Sequence, residues 1–501
     1  MGLVLSLALG LSACGGGGSS PAAPEVVTPP PPPPVTSTPD TFVTVQGEIQ
    51  GFGSVIVNGK RYGTDNADVR VDGRNASLSD LSVGQIVALR ARRGGDGELP
   101  QALRVRYEEV LEGPVESVAD DRRSLVILGQ TVFLTDDTVF EDLDPEDIAV
   151  DVVLEVSGSF TADGDIVASY VELSDDVDGD YEVHGTVGAL DEAAQTFRIK
   201  GLKVSYANAQ LEDFDDGETL GNGDRVEVEG STFLNDGTLV ATRVEFEGDD
   251  LDDLDGDEDD DDDEEEAEIE GFITAFADPT DFEVDGVPVV TTSGTEFEGC
   301  APEELGLDVR VEVEGTFDDN GVLVADEVEC DIESDIRLRG AVDAVDAELG
   351  AVTVFGVTGV VTEGTKFKDT GPDRVREFGL DDLAVDDRVE LRGYFNAADE
   401  LILTMIQRGT EGRFERDEVR GRLDSVGEDD TLVVSGVPVA YDGDTEFGLE
   451  DDEDDGITPD AFFAQVVPGD PIRVRGTEGE DGVLLADRID REDDDDDEDD
   501  D

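Results

Sequence analysis

Carboxylates are the reactive groups that this chain of 501 residues holds in excess: 129 Asp and Glu stand against 34 Lys and Arg, a net charge of −95. Their oxygens are natural ligands for hard cations such as calcium and magnesium. The densest runs are residues 249–268, with 16 carboxylates in 20 positions, and residues 490–501, with 11 in 12. Like charges at that density do not fold unaided, so both runs read as disordered, one a linker and the other a tail. Two shorter stretches, SDDVDG at 174–179 and LDDLDG at 251–256, carry Asp at alternate positions, and Asp176, Asp178, Asp253 and Asp255 are the candidate metal ligands. Both stretches miss the first acidic position of an EF-hand loop and its closing Glu. Weak, diffuse calcium binding is therefore the expectation, and no other cofactor is called for.

Other chemistries find less support. His184, in YEVHGTV, is the chain's single histidine. It reads as a surface or edge histidine on a strand, because no cysteine or second histidine accompanies it. Ser–His–Asp and zinc chemistry both need such companions. A glycosidase needs two carboxylates at a set separation, and here their abundance makes any choice arbitrary. No P-loop or dinucleotide fingerprint appears, so the chain is expected not to be an enzyme. Nucleic acid is excluded as a partner, since its phosphates are neutralised by Lys and Arg. One region departs from the general charge: residues 45–110 hold nine basic and nine acidic side chains. Within it, Arg90 and Arg92 in ALRARR and Arg104 and Arg106 in LRVRY alternate along two strands that should be neighbours. They form a candidate anion-binding stripe for the acidic tail, a polyanionic glycan or a lipid headgroup. The plainer reading is a solvated strand face.

The elements that would position these groups are strands, and they recur. A glycine ends or follows a short first strand at Gly47, Gly113, Gly185, Gly271, Gly340 and Gly421. Downstream, VLEVSG, RVEVEG, RVEVEG, RVELRG and IRVRG close on Gly158, Gly230, Gly315, Gly393 and Gly476, with Ala91 in that place in the first copy. The two markers are 44, 45, 45, 44, 53 and 55 residues apart, which is too regular for chance. Val, Ile, Leu and Phe alternate with charged residues between Gly, Asp and Asn turns, the pattern of half-buried strands. Thr295/Phe297, Thr365/Phe367 and Thr445/Phe447 repeat a T-x-F element, and LSDLSVGQ or LDDLAVDD before the glycine-closed strand fits one helical turn.

The expected fold is all-β: a tandem array of six small five-stranded, OB-like β-barrel domains with disordered acidic linkers. The repeats are placed at 42–110, 111–177, 178–248, 268–333, 334–412 and 413–490, with an acidic linker at 249–267 and a tail at 491–501. A copy of about 65 residues is only marginally large enough to fold alone. Cys300 and Cys330 fall in the fourth copy, and in an oxidising compartment they could close a disulfide.

The N-terminal stretch gives an address. The apolar run MGLVLSLALGLSA fits the h-region of a secretory signal and is too short to span a bilayer. LSAC at 11–14 resembles the lipobox of bacterial lipoproteins, which implies lipidation of Cys14, although no Lys or Arg precedes the run. Residues 1–13 are then a signal peptide and 14–41 a tether, flexible through its Gly and Ser and stiffened by Pro29 to Pro34. Gly rather than Asp after the cysteine implies, by the same resemblance, the bacterial outer membrane or cell surface, with a periplasmic face as the alternative.

GFGSVIVNGKRYGTDNADVRVDG (51–73), DLSVGQIVALR (80–90) and the VEVEG…DGTLVA strands together resemble the bacterial domain-of-unknown-function family 5666, which occurs as repeats on secreted lipoproteins. The resemblance covers nearly all of 42–491 apart from the acidic inserts and carries no catalytic residues. The functional expectation is a non-enzymatic, lipid-anchored envelope protein, a repeat-built spacer and interaction array with an envelope protein or glycan as partner. The alternative is a calcium-responsive binding module, and a polysaccharide-acting enzyme comes last. Oligomeric state is left open.

Overall fold

The structure, a computed structural model, describes residues 42–94, 98–174, 181–214, 219–247, 266–318, 320–410, 414, 416–427, 430–449, 457–479 and 482–492. The repeating ladder is plainest in the fourth copy. Its first strand, Glu266–Asp278, pairs antiparallel with the second, Asp281–Val284, which pairs with the third, Val287–Glu298. The third lies parallel to the fifth, Leu323–Cys330, the fifth antiparallel to the fourth, Arg310–Phe317, and the fourth returns to the first. The order 1-2-3-5-4-1, with a 3-10 turn at Pro302–Glu304 between strands three and four, is that of an OB barrel.

The same closed order with unbroken strands recurs in 111–173 and 336–408. In 42–107, 181–246 and 417–491 the order is kept, but the third strand is in two pieces, for example Leu202–Ser205 and Gln210–Glu212. The first strand of the fourth copy starts at Glu266, two residues inside the stretch read as acidic linker.

The sequence markers now have physical reasons. Strands two and three are joined by two-residue turns such as Leu128-Gly129 and Phe355-Gly356, with φ of 47° and 68°, and of 52° and 74°. Positive φ at both positions is the type I′ turn that matches strand twist. The left-handed residue points its side chain at the first-strand glycine: a Cβ on Gly113 would lie 2.6 Å from Leu128 Cγ, and one on Gly340 2.6 Å from Phe355 Cζ. The fourth-strand glycines sit against the fifth strand, mostly beside a shift in its register; a Cβ on Gly230 would lie 2.6 Å from the Val240 carbonyl oxygen. The T-x-F threonines clip the third strand to the fifth: Thr295, Thr365 and Thr445 each donate at 2.7 Å to a fifth-strand carbonyl, and Thr138 does so at 2.8 Å.

Copies associate through their first strands. The second strand covers only the later half of each first strand, which leaves an open edge at its start. Open strand edges are liabilities and are usually sealed. Here Val43–Gln46 of copy one runs parallel to Glu266–Ile269 of copy four. Copy two pairs with copy three through Leu111 and Glu112 against Glu182 and Val183, and copy five with copy six through 337–339 against 418–420. Copies two and three share one hydrophobic core, as do copies five and six. Copy one thus takes as its partner a barrel more than 200 residues away, and Asp40–Asp501 forms one compact unit.

Between the pairs the contacts are largely ionic. Asp136 of copy two faces Arg337 at 2.7 Å and also Arg420, while Arg392 donates to the Asp136 and Thr138 carbonyls. Lys366 of copy five reaches Glu48 of copy one at 2.6 Å, and Lys368 reaches Glu141 of copy two at 2.7 Å. A small apolar contact of Val139, Tyr170 and Met405 lies in the same junction. Since each barrel alone is small, these seams supply burial that a single copy lacks.

Candidate metal centres in the barrel seams

The outer face of copy four is a wall of carboxylates because its strands alternate Val with Glu. Register sets Glu268 opposite Glu314, Glu270 opposite Glu312, Glu312 opposite Glu329 and Glu314 opposite Glu327. Like charges placed directly opposite destabilise a sheet. Lys60 of copy one offsets part of this, with its ammonium 2.7 Å from Glu268 and also bound to Glu314. Arg310 does the same lower down, touching Glu270 and Glu48 and lying 3.1 Å from Asp331. Burial, and then Glu268 and Glu270, pushes Glu312 up to about 10; burial, and then Glu270, pushes Asp331 up to about 7. Burial works against the charge of Lys60, but Glu268 outweighs it and pushes Lys60 up to about 12. Glu268, Glu312 and Glu314 each place an oxygen within 4.8 Å of the others. Glu268 is 3% exposed, with its carboxylate turned toward Lys60 and Glu312. With Glu312 protonated, Glu268 and Glu314 beside one ammonium leave a net −1, and a hard divalent cation bound to the three oxygens would displace the Glu312 proton.

A second cluster surrounds His184. The first strand of copy three, Tyr181–Asp191, sets His184 opposite Glu227 of the fourth strand, Arg225–Gly230. The imidazole Nε2 lies 3.0 Å from Glu182 Oε1, and Nδ1 is paired with the Glu247 carboxylate. Glu247 in turn accepts from Arg225 Nε at 3.0 Å, and Glu227 from Arg243 at 2.5 Å. Burial alone would lower the His184 pKa, yet Glu247 and Glu182 outweigh it and raise it well above the usual value. Burial, followed by Glu182, pushes Glu227 up to about 8. Burial also pushes Glu109 up to about 11, with Asp72 and Glu182 adding to it.

The expectation that His184 is a surface or edge histidine is wrong: it is 6% exposed, because the pairing of copy three with copy two covers it. Sequence reasoning sought Cys or His companions and so missed the carboxylates that register supplies from neighbouring strands. The signal was present in the alternating Glu of RVEVEG and RVEFE, but the strand pairing needed to use it was not.

The other sequence candidates are placed as follows. Cys14, Asp176, Asp178, Asp253 and Asp255 lie outside the described residues. Cys300 and Cys330 are disulfide-bonded, with their Cα atoms 5.6 Å apart. Arg90 and Arg104 are direct cross-strand partners, and Arg106 stands opposite Ala88. Arg106 is tied to Asp68 at 2.9 Å and Arg90 stacks on Phe42 at 5.0 Å, so both are engaged within copy one.

With the ladders and clusters in view, comparison with known proteins adds one decisive match. The model of the family Domain of unknown function (DUF5666) matches residues 112–172, 184–245, 270–329, 339–403 and 420–490. The chain belongs to the DUF5666 family. The five matched stretches coincide with copies two to six; copy one repeats the ladder order outside the matched residues. No curated protein matches the chain. Among solved structures, one described as "drosophila Unr CSD456" is 15% identical, covering 45% of this chain and 96% of that one with a TM-score of 0.11. A likeness at that score carries no weight, and the barrel assignment rests on the strand pairings themselves.

Proposed function

We propose that this DUF5666 protein is a non-enzymatic, lipid-anchored component of the bacterial envelope, an array of barrels that serves as an interaction platform at the outer membrane or cell surface. The observation that carries the reading is the sealing of first-strand edges in pairs: the barrels are built to join protein surfaces, and their outer faces carry the charge. The LSAC stretch ending at Cys14 and the Gly/Pro tether support anchoring, with the body held off the membrane. A non-enzymatic role agrees with the one histidine being held between carboxylates rather than facing a cleft. Pairing of copy one with copy four favours a compact platform over an extended spacer. The partner is an envelope protein or glycan, and the net charge of −95 disfavours nucleic acid. The test is membrane fractionation of bacterial cells expressing the full chain or Cys14→Ser. Anchoring predicts that only the unaltered chain sediments with membranes and takes up labelled fatty acid. Equal behaviour of the two would refute it.

A calcium-responsive role is the second reading, favoured by the convergence of the Glu268, Glu312 and Glu314 carboxylates. Thermal unfolding in calcium, compared with sodium chloride at matched ionic strength, tests it. A rise in midpoint specific to calcium supports the reading, and equal shifts reduce the effect to screening.

A further inference from the structure

We propose that His184, Glu182 and Glu227 form a binding site for a single transition-metal ion of the zinc class, with Glu247 holding the imidazole in place. This goes beyond the platform reading and does not depend on calcium, because its chemistry is that of a nitrogen donor among oxygens.

The geometry carries the proposal in two steps. A ring nitrogen of His184 and one oxygen each from Glu182 and Glu227 lie within 4.8 Å of one another, and Nε2 is the nitrogen that faces Glu182. Zinc takes His nitrogen at about 2.0–2.1 Å and carboxylate oxygen at about 2.0–2.2 Å, so tetrahedral donors stand about 3.3 Å apart. The Nε2 to Glu182 separation of 3.0 Å is already close to that figure. Glu227 can reach the rest by a rotamer adjustment, since strand register holds it directly across from His184. Three protein ligands leave a fourth position for water.

The second step concerns the other ring nitrogen. Histidines that bind metal usually give their remaining N–H to a carboxylate or carbonyl, which fixes the tautomer and raises the basicity of the ligand. Nδ1 of His184 is paired with the Glu247 carboxylate, which Arg225 holds from behind at 3.0 Å. In the metal-free protein both ring nitrogens are protonated and donate to carboxylates; a metal ion would take the place of the Nε2 proton, between Glu182 and Glu227, while Glu247 keeps the proton on Nδ1. His184 and Glu227 are 6% and 7% exposed, and the Glu182 side chain 12%, so the site is shielded from bulk water and competing ligands. A nitrogen donor also sets the site apart from the all-oxygen group at Glu268, Glu312 and Glu314. Imidazole suits zinc, copper, iron or nickel, whereas all-carboxylate sites suit calcium or magnesium.

The experiment uses the untagged full chain, stripped with a chelator and titrated with zinc in excess calcium, so that the acidic runs are already occupied. Because His184 is the only histidine, its imidazole 15N resonances identify it without a variant. The expected result is one equivalent of zinc bound in the presence of calcium. Nε2 should shift to a metal-bound position and Nδ1 stay protonated. His184→Gln should abolish calcium-resistant binding. Glu247→Gln, which keeps all three ligands, should weaken it by about 10–100-fold. An imidazole spectrum that ignores zinc would overturn the proposal, as would zinc that calcium displaces completely. Either result would make the cluster a salt-bridged histidine only. The nitrogen spectrum decides the matter even if a variant fails to fold.

Discussion

Replacing Lys366 with Met removes one cation from the most deeply buried charge group between barrels, and its effect can be worked out in advance. Lys366 of copy five is 7% exposed and lies 2.6 Å from Glu48 of copy one, itself 3% exposed. Arg310 of copy four holds the other oxygen of Glu48. Burial alone would raise the Glu48 pKa, but Lys366 and then Arg310 outweigh it and hold the carboxyl down at about 2. Against an ordinary value of 4.5, that amounts to about 3 kcal/mol of differential stabilisation. Removing one partner of a buried pair costs about 3–5 kcal/mol. Since Arg310 remains, the lower end applies, about 3 kcal/mol, or a factor of roughly 100 in opening equilibrium. Hydrogen exchange reads this locally: protection of Phe42–Gly51 and Val357–Asp369 should fall by that factor, with copy six little changed. The double variant Lys366→Met/Glu48→Gln should recover most of the loss, because Arg310 keeps Glu270 and Asp331 as partners. A single variant with unchanged protection, or a double variant no better than the single, would refute the reasoning.

Three further outcomes follow from the same geometry. Burial pushes Glu418 upward, but Arg473, Arg339, Arg337 and Arg475 outweigh it and hold it at about 2. Its folded-state value is depressed, so its contribution to the seam between copies five and six is present above about pH 4.5. That contribution, about 3 kcal/mol, fades as pH falls toward 2; thermal midpoints of the wild type and Glu418→Gln should converge over that window. Gly393→Ala should cost about 2–3 kcal/mol, since a Cβ there overlaps the Ile402 carbonyl, whereas Ala91→Gly at the matching place in copy one should cost no more than about 1 kcal/mol, both by denaturant unfolding. The Cys300–Cys330 bond closes a separation of 30 residues. Cys330→Ser should therefore lower the stability of copy four by about 3–4 kcal/mol on the chain-entropy model, seen as faster exchange of Arg310–Phe317.

The barrel itself was legible because its constraints are local. Gly340 is glycine to admit Phe355, and Gly230 to admit the Val240 carbonyl, so the same turn and register shift write the same letters in successive copies. The helical turn before the fourth strand was legible too, and appears at Leu78–Asp80 and Leu380–Asp382. The association of copies was not. Nothing in VTVQ at 43–46 says that its open edge meets EAEI at 266–269, since either edge could have taken any other first strand. The His184 cluster was hidden for the same reason. Its members lie on two strands of copy three and just past the end of a third, and burial comes from copy two, so only register and pairing bring them together. The copy-four wall was half legible: VEVEG announces outward carboxylates, but Lys60, which tempers them, arrives from another barrel.

Pairing of copy one with copy four is the central claim, and zero-length carbodiimide cross-linking of the intact chain tests it most directly. The chain has five lysines, Lys60, Lys200, Lys203, Lys366 and Lys368, and three of them touch carboxylates of other copies. Lys60 is the most informative, with a side chain 45% exposed and an ammonium 2.7 Å from Glu268. The account predicts amide cross-links from Lys60 to Glu268 or Glu314, identified by mass spectrometry of the monomeric band. Lys60 joined only to carboxylates of its own or the adjacent copy would contradict it and return the molecule to a string of separate barrels.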